Sequence, residues 1–321
     1  MDEKPPILFL HGAFSGADTW TRFVAPWFAA RGHRVAAPEL AGRGSDSLPR
    51  LRDYVDRARD AADALGFPIV VGHSLGGLVA QHLAAEGRAA GLVLVASPGP
   101  FGLGSTLWQL ANMSPDVLAA LLLTQAGLGE LVGPDLVRRA LFSEDTPDAW
   151  IADVGMLPLP ESPAVLFDAL AWDLPAWPLA RPTPTFAVMG DRDAFVPQAD
   201  LWTIRAAYGA ETEVMPGLGH GLPMDPHWKS LAWRINAWLD EHGLTVRQDR
   251  PAARLGFTPG FGMGVPPAFG LGLGGFNVCA PGAGASRGGG LTLADLYRLS
   301  PWYQLLQAAT GWRESRSAQD R

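Results

Sequence analysis

The sequence predicts an α/β fold: a mostly parallel sheet with helices on both faces, an inserted helical cap and a glycine-rich C-terminal tail. Three observations predict it. Short apolar runs alternate with helical segments over residues 7–95 and again over 185–242, the rhythm of parallel strands joined by crossover helices. Between these stretches, residues 98–182 carry Leu- and Pro-rich helical segments and no convincing strand. Beyond residue 244 the composition changes, and positions 251–290 hold 13 Gly and 5 Pro, too flexible for ordinary elements and typical of low-complexity sequence.

Taken in order, Ile7-Leu8-Phe9-Leu10 reads as a buried strand closed by His11-Gly12. Trp20, Phe23, Val24, Trp27 and Phe28 have helical spacing, so Asp18 to Arg31 reads as one helix stopped at Gly32. A second strand follows at His33 to Ala37, then a charged helix at Leu51 to Leu65. The third strand, Ile69 to Val71, is cut off by Gly72 and leads into a small-residue helix from Leu75 to Glu86; Leu92 to Val95 is the fourth. After the insertion, Thr185 to Met189 is a strand, Gln198 to Tyr208 a helix and Glu211 to Met215 a strand. His227 to His242 closes the domain as a helix with a Trp228, Leu231, Ile235, Trp238 stripe.

This organisation predicts a core over 1–97 and 183–244, a helical cap over 98–182, a linker over 245–290 and a short helical segment over 291–321. In that last segment Leu293, Leu296, Tyr297, Trp302, Leu305 and Leu306 restore an apolar pattern, broken at Pro301. Residues 291–312 are therefore expected to dock on a surface or on a second copy of the chain.

Bulk properties narrow the function. With 321 residues and 48% hydrophobic content the chain can bury a sizeable core. Its net charge is −7, and residues 1–246 hold 17 Lys and Arg against 28 Asp and Glu, an acidic body that argues against nucleic acid as a partner. A single cysteine, Cys279, leaves no disulfide framework and no thiolate metal site. The N-terminus lacks the basic start of a signal peptide, and no apolar run reaches the roughly 18 residues of a membrane span. A cytoplasmic enzyme without cofactor or metal is expected.

The chemistry is carried by Gly72-His73-Ser74-Leu75-Gly76, a G-x-S-x-G pattern in which a serine sits on a sharp strand-to-helix turn. A second match, around Ser286, lies in the glycine-rich tail with neither strand nor helix beside it, so context selects Ser74. A serine hydroxyl needs a base, and His220, in Gly217-Leu218-Gly219-His220-Gly221 directly after the last strand, is the candidate. His33, His82, His227 and His242 fall in or beside regular elements, while His11 and His73 flank the site and are read as loop-holding residues. The base needs a carboxylate to fix its tautomer. Gly190-Asp191-Arg192-Asp193 offers two, Asp191 and Asp193, in the chain order serine, acid, histidine. The oxyanion needs two backbone N–H donors, expected from Leu75 and from Ala13 or Phe14.

His11-Gly12-Ala13-Phe14, Pro38-Glu39-Leu40-Ala41-Gly42-Arg43-Gly44-Ser45, the serine turn with Gly77, the Gly190 to Pro197 loop and Gly219-His220 together resemble the α/β-hydrolase superfamily over about residues 6–243. The resemblance implies that Asp193 is the acid, because Gly190, Asp193, Val196 and Pro197 fit the family's G-x-x-D-x-x-V-P loop. It also implies that Ala13 is the oxyanion donor, although Phe14 serves in some relatives. The family's opening hairpin is missing, as in the plant esterase and hydroxynitrile-lyase branch, and the tail has no counterpart. A serine at this position disfavours haloalkane dehalogenases and epoxide hydrolases, whose family position carries an aspartate. The apolar cap points to an apolar small-molecule ester as substrate. A carbon–carbon bond hydrolase is the rival. A hydroxynitrile lyase is weaker, for want of a lysine near the acid loop. A binding or assembly protein working through its tail is the reading from another class.

Overall fold

The computed structural model describes residues 3–41, 48–154, 160–180 and 182–249. The linker beyond residue 249, the 291–312 segment, Cys279, Ser286 and Gly42 to Ser45 of the second motif lie outside the described residues.

Six strands form one sheet: β1 (Ile7–Leu10), β2 (Val35–Ala36), β3 (Ile69–His73), β4 (Gly91–Val95), β5 (Thr185–Gly190) and β6 (Glu211–Met215). Their order is β2-β1-β3-β4-β5-β6 and every pair is parallel, with Leu8 opposite Val70, Val71 opposite Val93 and Val93 opposite Phe186. Because successive side chains of a strand point to opposite faces, the apolar runs divide between two cores. Leu8, Leu10, Val70, Leu92, Leu94, Ala187 and Met189 face one side, covered by α3 (Leu51–Leu65), α4 (Leu75–Ala85) and α11 (Ala199–Tyr208). Ile7, Phe9, Ile69, Val71, Val93, Val95, Phe186 and Val188 face the other, against α1 (Asp18–Thr21), α2 (Val24–Ala29) and α12 (Trp228–Glu241). A sheet covered on both faces needs continuous apolar strands, which is why these runs do not alternate with polar residues.

Two elements differ from the sequence expectation. The helix expected over Asp18 to Arg31 is two short helices, α1 and α2, parted at Phe23 (φ −132°, ψ −63°). Pro26 supplies the reason: it has no N–H to donate, and its ring crowds the carbonyl four residues earlier, at Arg22. The second strand shrinks to Val35–Ala36 at the edge of the sheet, two residues short of Pro38.

Between β4 and β5 the chain is helical: α5 (Gly104–Met113), α6 (Pro115–Gln125), α7 (Pro134–Leu141), α8 (Asp148–Val154), α9 (Pro163–Phe167) and α10 (Trp177–Ala180), with no strand among the described residues. The α6, α7 and α9 helices each start on a proline at the first position, where a missing N–H costs nothing. No helix among the described residues is long and apolar enough to cross a membrane.

Candidate active site

β3 ends at His73 and α4 begins at Leu75, so Ser74 alone makes the turn, at φ +51° and ψ −124°. A non-glycine residue there costs on the order of 1–3 kcal/mol and persists only where its surroundings dictate it. They do. A Cβ on Gly72 would lie 2.3 Å from the Gly76 carbonyl oxygen, and one on Gly76 would lie 2.4 Å from the carbonyls of both Leu10 and His11. The two glycines thus let α4 press against β1 and β3 and leave the strain on the serine. Ser74 donates its N–H to the Val95 carbonyl (3.0 Å), and its own carbonyl accepts from Gly77 (2.8 Å).

The sequence-expected base and acid meet. His220 Nδ1 donates to Asp193, 2.8 Å from Oδ2 and 3.0 Å from Oδ1. Oδ1 also accepts the backbone N–H groups of Phe195 (2.8 Å) and Val196 (2.9 Å), so the loop that carries the acid also aims it. Both side chains are buried. The imidazole lies between Phe195 and His73, with ring centroids 4.5 and 4.9 Å away. With the proton on Nδ1, Nε2 is the basic nitrogen. Asp191 goes elsewhere: its carboxylate is exposed and accepts the Gly217 N–H at 2.8 Å. Ser74 and His220 border one cavity. The Ser74 hydroxyl makes no hydrogen bond with the described residues, a contact that in resting enzymes commonly closes only when substrate arrives.

The flanking histidines hold loops. His73 Nε2 donates to the His220 carbonyl at 2.9 Å, fixing the histidine loop from the strand beneath it. Burial pushes the His73 imidazole down to about 3, so it stays neutral, and its Nδ1 is buried without a partner. His11 Nδ1 donates to the Gly12 carbonyl (2.8 Å) and Nε2 accepts the Leu40 N–H (2.9 Å). His33 donates to the Pro5 carbonyl and His82 contacts the Asp173 carbonyl. His227 and His242 pair with Asp225 and Glu211.

Around the turn, the N–H groups of Ala13 and Leu75 have no acceptor among the described residues, and both residues border the cavity. Leu75 is the first residue of α4, where the helix leaves its N–H groups open and carries partial positive charge. Phe14, at φ +56°, is different, because its N–H donates to the Glu161 carboxylate at 3.3 Å. Sequence reasoning missed Glu161: a single acid in a proline-rich stretch of a helical insertion has no periodic or motif signal.

The cavity has a volume of about 340 Å³. Its floor is Ser74, His220 and the Ala13–Ser15 turn. Its walls come from the insertion, with Leu107 and Leu110 of α5, Leu118 and Leu121 of α6, and Leu136 and Leu141 of α7. The polar residues that border it are Ser15, His73, Ser74, Thr106, Thr124, Gln125 and His220; among the described residues no Lys, Arg, Asp or Glu lines it. The one His, Asp and Glu cluster with metal-ligand spacing among the described residues, Glu211, Glu241 and His242, is exposed and lines no part of it.

Over residues 7–232 the chain matches the alpha/beta hydrolase family. A haloalkane dehalogenase of Mycobacterium marinum (strain ATCC BAA-535 / M) is 33% identical over 264 residues, covering 74% of this chain and 85% of that protein. Among solved structures, a thermophilic esterase from Thermogutta terrifontis superposes with a TM-score of 0.55 at 20% identity, covering 75% of this chain and 91% of its own. The 2-hydroxy-6-oxo-6-phenylhexa-2,4-dienoate hydrolase of Rhodococcus sp. strain RHA1 superposes with a TM-score of 0.53 at 19% identity, over 74% and 91%. At these identities the two structures speak for the fold alone.

Proposed function

The chain belongs to the alpha/beta hydrolase family, and from that premise we propose that it cleaves a carboxylic ester of a neutral, apolar small molecule through an acyl-enzyme on Ser74, with residues 98–182 acting as the cap. The observation that carries the reading is a serine turn opening on a cavity bordered by no Lys, Arg, Asp or Glu among the described residues, beside an imidazole fixed by a buried carboxylate.

In the first half-reaction Ser74 Oγ bonds to the ester carbonyl carbon while His220 Nε2 takes the hydroxyl proton. The carbonyl π pair moves onto oxygen, where the N–H groups of Ala13 and Leu75 and the N-terminus of α4 hold the charge. The C–O bond to the alcohol then breaks, and His220 returns its proton to the leaving oxygen. In the second half a water gives a proton to His220 and attacks the acyl carbon. Ser74 leaves, takes the proton back, and the carboxylic acid departs. Asp193 keeps the ring in the Nδ1–H tautomer and stabilises the imidazolium in both halves.

Chemistry weighs against the reactions named for two relatives. Displacement of halide by a serine alkoxide would leave an alkyl ether on Ser74, and an ether has no carbonyl for water to attack. A dienoate carries a carboxylate, and burying that charge in a cavity that no Lys or Arg lines among the described residues is costly. The test is fluorophosphonate labelling combined with p-nitrophenyl esters of graded acyl length. Wild type is expected to label and to turn over faster as the acyl chain grows, until the cavity is filled. Labelling that persists in Ser74→Ala, or equal turnover of an ester with an anionic acyl chain, would overturn the proposal.

A further inference from the structure

Glu161 is buried, 5% exposed, yet none of the described ion pairs includes it. Instead its carboxylate gathers three donors from three parts of the chain: Tyr54 O–H of α3 at 2.5 Å, its neighbour Ser162 N–H at 2.8 Å, and Phe14 N–H at 3.3 Å. Its backbone is clamped as well. Gln125, at the end of α6, donates to the Glu161 carbonyl (2.7 Å) and accepts the Glu161 N–H (3.1 Å). A carboxylate withdrawn from water is costly unless its oxygens are satisfied, and this one is satisfied by fixing the turn beside Ser74.

The turn needs fixing. Phe14 holds φ +56°, the left-handed region that an aromatic side chain seldom enters. It follows Gly12, whose added Cβ would lie 3.0 Å from Ser74 Cβ, so the 12–15 segment passes directly over the serine. Of the amides along it, Phe14 N–H is spent on Glu161, whereas Ala13 N–H has no acceptor among the described residues, and Ala13 borders the same cavity as Leu75, whose N–H is likewise open among them.

We infer that Glu161 is a positioning residue of the oxyanion site. By taking the Phe14 N–H it holds the 12–15 turn and leaves Ala13, not Phe14, to pair with Leu75. The inference rests on the reading of Ser74 as nucleophile and extends it to a residue of the insertion that touches no reacting atom. It makes the insertion part of the catalytic geometry as well as the wall of the pocket.

The experiment uses the full chain, a p-nitrophenyl ester and fluorophosphonate titration, so that kcat is expressed per competent Ser74. Glu161→Gln keeps the size of the side chain but presents an amide N–H₂ toward donors. It is expected to lower kcat about 10- to 100-fold, the scale of losing one oxyanion donor or less, with KM within about threefold. Affinity for a trifluoromethyl ketone, which forms a tetrahedral adduct, should fall in parallel with kcat, a change that mere loosening of the fold would not produce. Tyr54→Phe removes one donor and leaves the carboxylate; a loss of about 3- to 10-fold in kcat is expected. Unchanged kcat per titrated site in Glu161→Gln, or in Tyr54→Phe should the first variant fail to fold, would overturn the inference. Failure of the parent reading looks different, because Ser74→Ala would then still turn over ester.

Discussion

Along the sheet every residue of β1, β3, β4 and β5 is buried. The helical insertion instead contributes ten of the fifteen large hydrophobic side chains exposed among the described residues, including Trp108, Met113, Leu122 and Leu131. The two regions are also joined differently from the way the sheet is joined to itself. The sheet is locked by apolar contact and by backbone approaches with no room for a methyl group. The insertion is tied on by buried acids. Asp168 accepts Arg50 Nε (2.7 Å) and the Leu51 N–H (3.2 Å), Asp225 accepts the Ser143 N–H (2.7 Å), and Asp200 accepts the Ser105 hydroxyl (2.8 Å). Ser74, Asp193 and His220 sit on loops at the ends of buried strands, and most of the cavity wall comes from the insertion, where side chains are more exposed.

The sharpest way to break that comparison is to remove chemistry without removing structure. Ser74→Ala, assayed on p-nitrophenyl esters, is expected to lose at least about 10⁴-fold in kcat while its melting temperature holds or rises, since alanine deletes only the hydroxyl. A melting temperature that collapses would show that the strained turn depends on the hydroxyl. Next in size, Asp193→Asn should lose about 10³- to 10⁴-fold, because an amide at this position favours the wrong tautomer of His220. Asp191→Asn, at a carboxylate that accepts the Gly217 amide and does not reach His220, should stay within a few-fold of wild type. The reverse ranking in steady-state kinetics would assign the acid to Asp191.

The insertion should respond in selectivity. Leu121→Trp fills part of the cavity, and kcat/KM for an octanoate ester is expected to fall about tenfold while that for acetate changes little. Equal losses on both esters would mean that the wall is also part of the machinery.

The smallest effect concerns a tie between the regions. Burial pushes the Asp200 carboxyl up to about 6 from an ordinary 3.8. A raised acid favours the protonated folded form, so its contribution to stability is complete below about pH 4 and is lost as pH rises through 6. Asp200→Asn should flatten that window. At pH 7.5 it should be the more stable protein by up to about 3 kcal/mol in urea unfolding, on about 1.4 kcal/mol per pKa unit, and at pH 3.5 the two should converge. A difference that does not change between these pH values would mean that Asp200 does not titrate there.

What could be read beforehand follows from how local each signal is. Leu8 and Leu10 against Ile7 and Phe9 and the Gly72 to Gly76 pattern are consequences of neighbouring residues and of period-two alternation, whereas Asp193 is preferred over Asp191 only through the family's G-x-x-D-x-x-V-P loop. Apolar spacing over Asp18 to Arg31 reads as one helix, and Pro26 makes it two. Glu161, Gln109, whose amide reaches the Asp193 carbonyl at 3.2 Å, and the downward direction of the His73 titration left no trace in their own surroundings.

The sequence by itself determined the α/β architecture and the identity of the serine turn, because strand periodicity and glycine spacing act over a few residues. Only the tertiary structure decided that Asp191 faces Gly217 and that Phe14 N–H is engaged by an acid 147 residues away. The physical reason is that a hydrogen bond is set by distances of about 3 Å in space, and no pattern along the chain encodes which remote carboxylate will arrive there.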